Sequence, residues 1–593
     1  MRSSVKLAWI LGVCVLLTGG LATLVLARGS TVPVLAAPTP IPTLAVTTLS
    51  GLVKDAKGPV AGATVRIQAT ENAATTGADG SFTLPGVSGA QSLTVTASLV
   101  GYYINWVKVK PGTKNVTLTL TPHFTTDNVE YNWFVHDGVK GSAACGVCHT
   151  AYTEWKGDAH AQTPYNKHFI SMYNGTDVNG NPSPPVQTNN LGVPQPPDLT
   201  KPYYGPGFKL DNPNRVGVCA ACHAPAAGKT PTNSGCGWLG CHTGATSQYT
   251  KLVPPGVSPV STYGAAADGI SCEFCHKIAN VQINKQTGLP YEDSPGILSL
   301  SLLRPEPGHD IFFGPLDDIA RADIETPRDS YLPLQQESSF CASCHYGVMG
   351  GIVQNMKVTG GVLVYSSFAE WQASQYSKPG TTKSCQNCHM PPVASQRFVF
   401  PEKGGQARDY YVVHSHRMLG ARDEAFMKNA VTMTATAQVN GNQIQVDVRI
   451  TNDKTGHSVP TDSPLREVLL VVTAKDANGQ ILGLASGTKL PDWAGNYAGQ
   501  PGKTFAKVLQ DQWTKELPTG AIWRPVKIVE DTRLTAGVTD QTRYTFKAAG
   551  GKMATLDVQL IYRRAPQQLM KWKGWDDPDI VMAQQRLQVK LGQ

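Results

Sequence analysis

Charge is scarce in this sequence: Asp, Glu, Lys and Arg make up 16% of 593 residues, against 41% hydrophobic residues. A chain this apolar is not intrinsically disordered. Its net charge of +8 is a mild excess that does not indicate a nucleic-acid partner. Helical regularity is scarce too, because 58 Gly and 42 Pro are too many turn formers for a helical bundle. Cysteine is missing from residues 15–144 and again after 388. Of 13 cysteines, Cys14 lies in an N-terminal apolar run; the other twelve form six close pairs between Cys145 and Cys388, each followed at once by a histidine. At roughly 150 residues per domain, the length suggests three or four domains.

Arg2 and Lys6 precede Leu7–Ala27, which carries no charge. The run is nearer the ~20 residues of a membrane span than the ~7–15 of a secretory core. Residues 1–30 therefore read as a signal peptide or a membrane anchor, with both options open, and the rest of the chain as exported to the periplasm or the extracellular face. Residues 31–45 are a Pro-rich linker favouring extended conformations.

From 46 to 122 the text turns to short alternating strands with tight-turn punctuation, Asp55-Ala-Lys-Gly58 and Gly77-Ala-Asp-Gly80, as expected of a small β-sandwich. Gly58-Pro-Val-Ala-Gly62-Ala-Thr-Val65, Asp79-Gly80-Ser-Phe82 and Gly101-Tyr102 resemble the carboxypeptidase regulatory-like domain. That resemblance implies a fold and no chemistry, so a spacer or surface-binding module is expected. Residues 123–429 hold every cysteine pair amid long Gly/Pro/Asn stretches and few periodic segments. Such a loop-heavy region needs something other than side chains to fill its interior. Strands return from 430 to 593 (TMTATAQV, QIQVDVRITN, EVLLVVTAKD, RYTFKAA, TLDVQLIYRR), consistent with a C-terminal β-sandwich. The expected fold class is multidomain: a small N-terminal β-sandwich, a central loop-rich, partly helical region and a C-terminal β-sandwich.

Five pairs are strict Cys-x-x-Cys-His: Cys145/Cys148/His149, Cys219/Cys222/His223, Cys272/Cys275/His276, Cys341/Cys344/His345 and Cys385/Cys388/His389. The sixth is wider, Cys236-Gly-Trp-Leu-Gly-Cys241-His242. Cys-x-x-Cys-His is the attachment motif of haem c: the thiols form thioethers with the porphyrin vinyl groups and the adjoining imidazole ligates the iron. Zinc ribbons also pair cysteines but do not require a histidine after every second one. A disulfide framework suits an exported chain and leaves six identically placed histidines without a role. Six covalent haems are the leading reading, and they would supply the missing core.

With 14 histidines, eight remain beyond the proximal six. His160, His168, His309, His414, His416 and His457 are the candidate distal ligands, and His123 and His136 the spares. His414 and His416 share a face only if their stretch is extended. Met172, Met390 and Met418 read as gap-filling core residues rather than ligands. Trp133, Trp155, Tyr165, Tyr173 and Trp238 are expected to pack near the haem faces.

Cys145-x-x-Cys148-His149 with Glu154-Trp155…Ala159-His160-Ala161, Met172-Tyr173-Asn174-Gly175-Thr176-Asp177, Phe340-Cys341, Cys388-His389-Met390-Pro391 and His416-Arg417…Gly420 resemble multihaem cytochromes c of the cytochrome c-554 type (the cytochrome c-552/4 family). The resemblance covers about 145–460. It implies closely packed, mostly bis-histidine haems passing electrons between protein partners. The chain departs from that type in its six motifs, the wide Cys236–Cys241 site and the added β-domains. Asn452…Gly456-His457…Pro460 resembles a β-domain motif of related cytochromes, implying that the last domain reaches back to a haem.

The leading expectation is an exported electron carrier rather than an enzyme, with protein redox partners and no nucleic acid; a membrane or cell-surface association and homo-oligomerisation stay open. The alternatives are an oxidoreductase acting on a small nitrogen or sulfur compound at one open haem, and a surface-docked or polymerising conduit. No Cys-x-x-Cys-Lys site, which nitrite-reducing relatives use, occurs in the chain.

Overall fold

The computed structural model describes residues 46–591 apart from 90, 132, 134, 137, 214–216, 218, 228–267, 293, 322–325, 351, 355, 356, 360, 409–411 and 549–551. The expected signal or anchor, the linker and the wide motif of Cys236, Cys241 and His242 lie outside these residues. Among the described residues no helix is long and apolar enough to cross a membrane. The architecture is multidomain and mostly β, with several sheets and few helices.

Period-two burial builds the first domain. Ser81–Val87 buries Phe82, Leu84 and Val87 and leaves the residues between them exposed, the pattern of a strand with one wet face. It pairs with Thr47–Asp55, which also pairs with Gly58–Pro59 and, in parallel, with Val116–Thr119. A second sheet runs Ala73–Thr75, Thr64–Ile67, Leu93–Ser98, Asn105–Val109. Leu49, Val53, Val65, Leu84, Val95 and Leu118 form the core. At the Gly77–Gly80 turn only glycine fits: Gly80 has φ +73° and a Cβ there would meet Val53 O at 2.5 Å.

The expected boundary at 122 is bridged by a sheet. Thr121–Pro122 and Tyr102–Tyr103 continue into Asp329–Tyr331 and Phe312–Gly314. Arg66 adds a bidentate pair to Asp317, at 2.8 and 2.9 Å.

The central region is built of short helices, short strand pairs such as Ile278–Val281 with Leu300–Leu302, and loops; Lys167–Asn174, with eight residues, is its longest described helix. The five described attachment motifs each occupy one helical turn. His149 N donates to Cys145 O at 2.9 Å, His223 N to Cys219 O at 3.0 Å and His345 N to Cys341 O at 3.2 Å; Cys272–His276 and Cys385–His389 are helices outright. Helical geometry puts residues i, i+3 and i+4 on one face, so both thiols and the imidazole are presented together. Serine caps start two of these turns: Ser271 accepts from Phe274 N, and Ser384 with Asn387 forms a capping box.

The C-terminal domain stacks Thr432–Asn440, Gln443–Thr451, Thr539–Lys547 and Leu484–Ser486 against Val526–Asp531, Gly502–Asp511, Glu467–Asp476, Met553–Arg563 and Ile580–Lys590. Gln443–Thr451 alternates in burial, whereas the central Glu467–Asp476 is buried almost throughout. Ile444, Val446, Leu470, Val472, Leu556 and Val558 share the core. Polar pins tie this domain to the central region. Lys573 Nζ, fully buried, donates to Ser171 O, Thr176 O and Pro206 O, and Arg524 bridges Asp211 and Asp511.

Candidate cofactor site

Between the short helices lies a cavity of about 3400 Å³, several times the ~300–1,000 Å³ of an ordinary ligand pocket. Close-packed interiors do not leave such voids empty. All ten described attachment cysteines and the five described proximal histidines line it, as do His160, His168, His309, His414, His416 and His457. His123 is not among the lining residues; it packs edge-on against Tyr103 and Phe313. The His136 side chain lies outside the described residues.

Nδ1 orientation sorts these histidines. His223 donates to Thr163 O (3.3 Å), His276 to Phe313 O (2.6 Å), His389 to Leu419 O (2.5 Å), His414 to Met390 O (2.7 Å), His416 to His414 O (3.1 Å) and His457 to Ser458 O (3.0 Å). His160 donates to Asp158 and His345 to Asp462, both at 2.7 Å. A donating Nδ1–H fixes the tautomer whose Nε2 lone pair can bind a metal, the usual outer support of a ligating imidazole. Burial pushes His149, His223, His276 and His389 down to about 4, so these rings are neutral and able to ligate. His345 differs: burial opposes its charge, but the hydrogen bond to Asp462 outweighs this and raises it to about 9.

Three pairs of rings face one another. His160 and His345 have centroids 6.4 Å apart, His276 and His416 6.5 Å, and His389 and His457 6.2 Å. An iron held between two imidazoles at a metal–nitrogen bond of about 2.0 Å separates the ring centroids by about 6.3 Å. The residues therefore suit haem: the paired thiols would attach it and these imidazoles would ligate its iron. Among the described residues no three His, Cys, Asp or Glu side chains converge on one point. The described cysteines are all free thiols.

The remaining histidines of the cavity are not paired ring to ring in this way. His168 Nε2 meets Asp577 Oδ2 at 2.5 Å and its ring packs edge-on against Trp575, centroids 4.6 Å apart; the nitrogen an iron would need is engaged. His309 is exposed at the cavity mouth. Pro392 forms an isolated antiparallel bridge with His414, and the chain bends at His416. His149 and His223 face aromatic rings, Phe398 at 5.9 Å and Phe169 at 3.8 Å. Met172, Met390 and Met418 line the cavity, and Met172 also packs on the Leu569–Met570–Trp575 cluster. Trp155 and Tyr173 are buried on the cavity wall, Tyr165 is exposed, and Trp238 lies outside the described residues.

Asp158, Asp462 and Asp577 hydrogen-bond to His160, His345 and His168, and sequence reading passed over them. Asp158 and Asp462 lie two and five residues from ligand candidates, a proximity that could have drawn attention to them. Asp577 carries no local signal.

The model of the carboxypeptidase regulatory-like domain matches residues 48–121. Those residues are similar to that domain family. They join the central region through the Tyr102–Tyr103 strand, and their described strands contribute no histidine to the cavity. No curated protein matches the chain. Among solved structures, a penta-heme cytochrome c552 from Thermochromatium tepidum is similar at 20% identity and TM-score 0.48, over 76% of this chain and 98% of that one. A cohesin–X-dockerin complex from Acetivibrio cellulolyticus is similar at 23% identity and TM-score 0.12, over 13% of this chain and 58% of that one.

Proposed function

We propose that the chain is an exported hexahaem c-type cytochrome that carries electrons between protein redox partners. The observation that carries this reading is the set of three histidine pairs, drawn from distant parts of the sequence and spaced 6.2–6.5 Å around a thiol-lined cavity. Cys145/Cys148, Cys219/Cys222, Cys272/Cys275, Cys341/Cys344, Cys385/Cys388 and Cys236/Cys241 would hold the six groups, each with the histidine that follows. When bound, haem supplies one-electron redox chemistry. The chain's own part is positional: helical turns orient thiols and imidazole together, Nδ1 acceptors fix the rings, and the terminal domains close the cavity. Thiols of different motifs lie against each other, Cys145 with Cys272, Cys222 with Cys344 and Cys341 with Cys385. Such contact favours close haem packing and stepwise transfer.

Haem content per chain after expression with cytochrome c maturation tests the proposal. Six thioether-bound haems are expected; five would show the wide motif unused, and none would overturn the reading.

A second reading, an oxidoreductase with one open haem, is favoured by the aromatic neighbours of His149 and His223. Entirely low-spin oxidised protein, unchanged by cyanide or nitrite, supports the carrier. A stoichiometric high-spin haem supports the enzyme.

A further inference from the structure

The Nδ1 partners divide the three histidine pairs into two kinds. In His276/His416 and His389/His457 every acceptor is a neutral backbone carbonyl: Phe313 O, His414 O, Leu419 O and Ser458 O. In His160/His345 both acceptors are carboxylates, Asp158 Oδ1 and Asp462 Oδ2, each at 2.7 Å.

Both carboxylates are built in. Asp462 is 8% exposed, and its Oδ1 accepts from Ser366 N at 3.1 Å and Ser367 N at 3.0 Å. Its backbone has φ +56°, a left-handed conformation that Asp tolerates better than most residues. Asp158 is 6% exposed, and its Oδ1 also accepts from His160 N at 2.8 Å. Arg466 and Lys507 are cations near Asp462; Arg466 Nη1 donates to Thr461 O and Lys507 Nζ to Leu363 O.

An anionic acceptor makes the hydrogen bond stronger than a neutral carbonyl does. It draws the Nδ1 proton, raises the basicity of Nε2 and so strengthens donation to a bound metal. Two negative charges in a low-dielectric interior also favour the more positive, oxidised iron. Both effects would act together at this position; at the other two pairs no carboxylate accepts from Nδ1, and the Glu154 carboxylate near His416 accepts from its backbone N, at 2.7 Å.

We propose that Asp158 and Asp462 make the haem held between His160 and His345 the most reducing of the three histidine-paired positions. This rests on the covalent-haem reading above. Cys344 lies against Cys222 and Cys341 against Cys385, so the position has neighbours on two sides. A haem held here would pass one electron between those neighbours, with no bond made or broken. An electron crossing the array then meets its most reducing step in the interior rather than at an end, which limits the flow from weak donors.

Spectroelectrochemical titration of the purified holoprotein tests this, with Asp158→Asn, Asp462→Asn and the double variant. Asparagine keeps an acceptor oxygen and removes the charge. Each single variant should make the lowest-potential component at least ~tenfold easier to reduce, about 59 mV for a one-electron couple; the other components stay put and the low-spin signature persists. An unmoved lowest component, or a shift confined to another component, overturns the proposal. Asp462 also holds the Ser366–Ser367 backbone; should Asp462→Asn reduce haem content, Asp158→Asn alone decides. Absence of covalent haem in the unmodified protein is a separate result, which overturns the cytochrome reading instead.

Discussion

His168 and His457 show how little a histidine's neighbours in sequence say about its task. His168 follows an asparagine cap that accepts from His168 N and Phe169 N, and its helix aims the ring at Asp577, more than 400 residues later in the chain. His457 lies in a β-domain loop and meets the ring of His389. The expected outcomes differ accordingly. His457→Ala should leave the haem count unchanged and convert one haem to a high-spin or solvent-ligated form, seen in the oxidised optical and EPR spectra. His168→Ala should leave those spectra unaltered and cost about 1–3 kcal/mol for the lost hydrogen bond to a charged group, measured by denaturant unfolding.

At the scale of elements, the strand Glu467–Asp476 carries an unusual feature. Glu467 is 2% exposed and neither carboxylate oxygen has a hydrogen-bond partner. Burial raises it to about 8, with Arg563 opposing the rise. A group whose folded value lies above its unfolded value contributes stability that is fully present below the unfolded value and lost as pH rises through the folded one. The protein should therefore lose stability between about pH 4 and 8 on this account, and Glu467→Gln should flatten that loss. Unfolding midpoints of the two proteins across the range test it; parallel curves would exclude Glu467 as the cause. The loop between this strand and the one before it also holds His457 and Asp462. Glu370 anchors that loop, accepting from Ser458 N at 3.0 Å, Thr461 Oγ1 at 2.7 Å and Arg533 at 2.5 Å. Such elements were legible from period-two alternation, and the motif turns from their spacing, because both depend on contacts within a few residues. The loop's destination was not, because the packing of two domains decides it.

For the whole molecule, the cavity sets the dependence of folding on cofactor. A void of about 3400 Å³ lined by apolar groups and thiols collapses if left unfilled, since cavity surface is costly and interiors pack densely. Without haem attachment, residues 123–429 should be rapidly cleaved in limited proteolysis while the regulatory-like domain at 48–121 survives with its own core. Equal resistance of the two regions would contradict this. Lys573 links the C-terminal domain to the central region through three backbone carbonyls. Lys573→Met should cost on the order of 3 kcal/mol, because those buried acceptors lose their donor, and should lower the thermal midpoint of the holoprotein. The amino-acid sequence by itself determined the strands, the attachment turns and the number of motifs, since each is a local pattern of spacing and alternation. Tertiary structure alone decided which rings face each other, which histidine is diverted to Asp577 and which pair has carboxylates behind it. Asp158 apart, which lies two residues from His160, those outcomes join residues more than 60 to more than 400 positions apart, and no local pattern encodes the packing that brings them together.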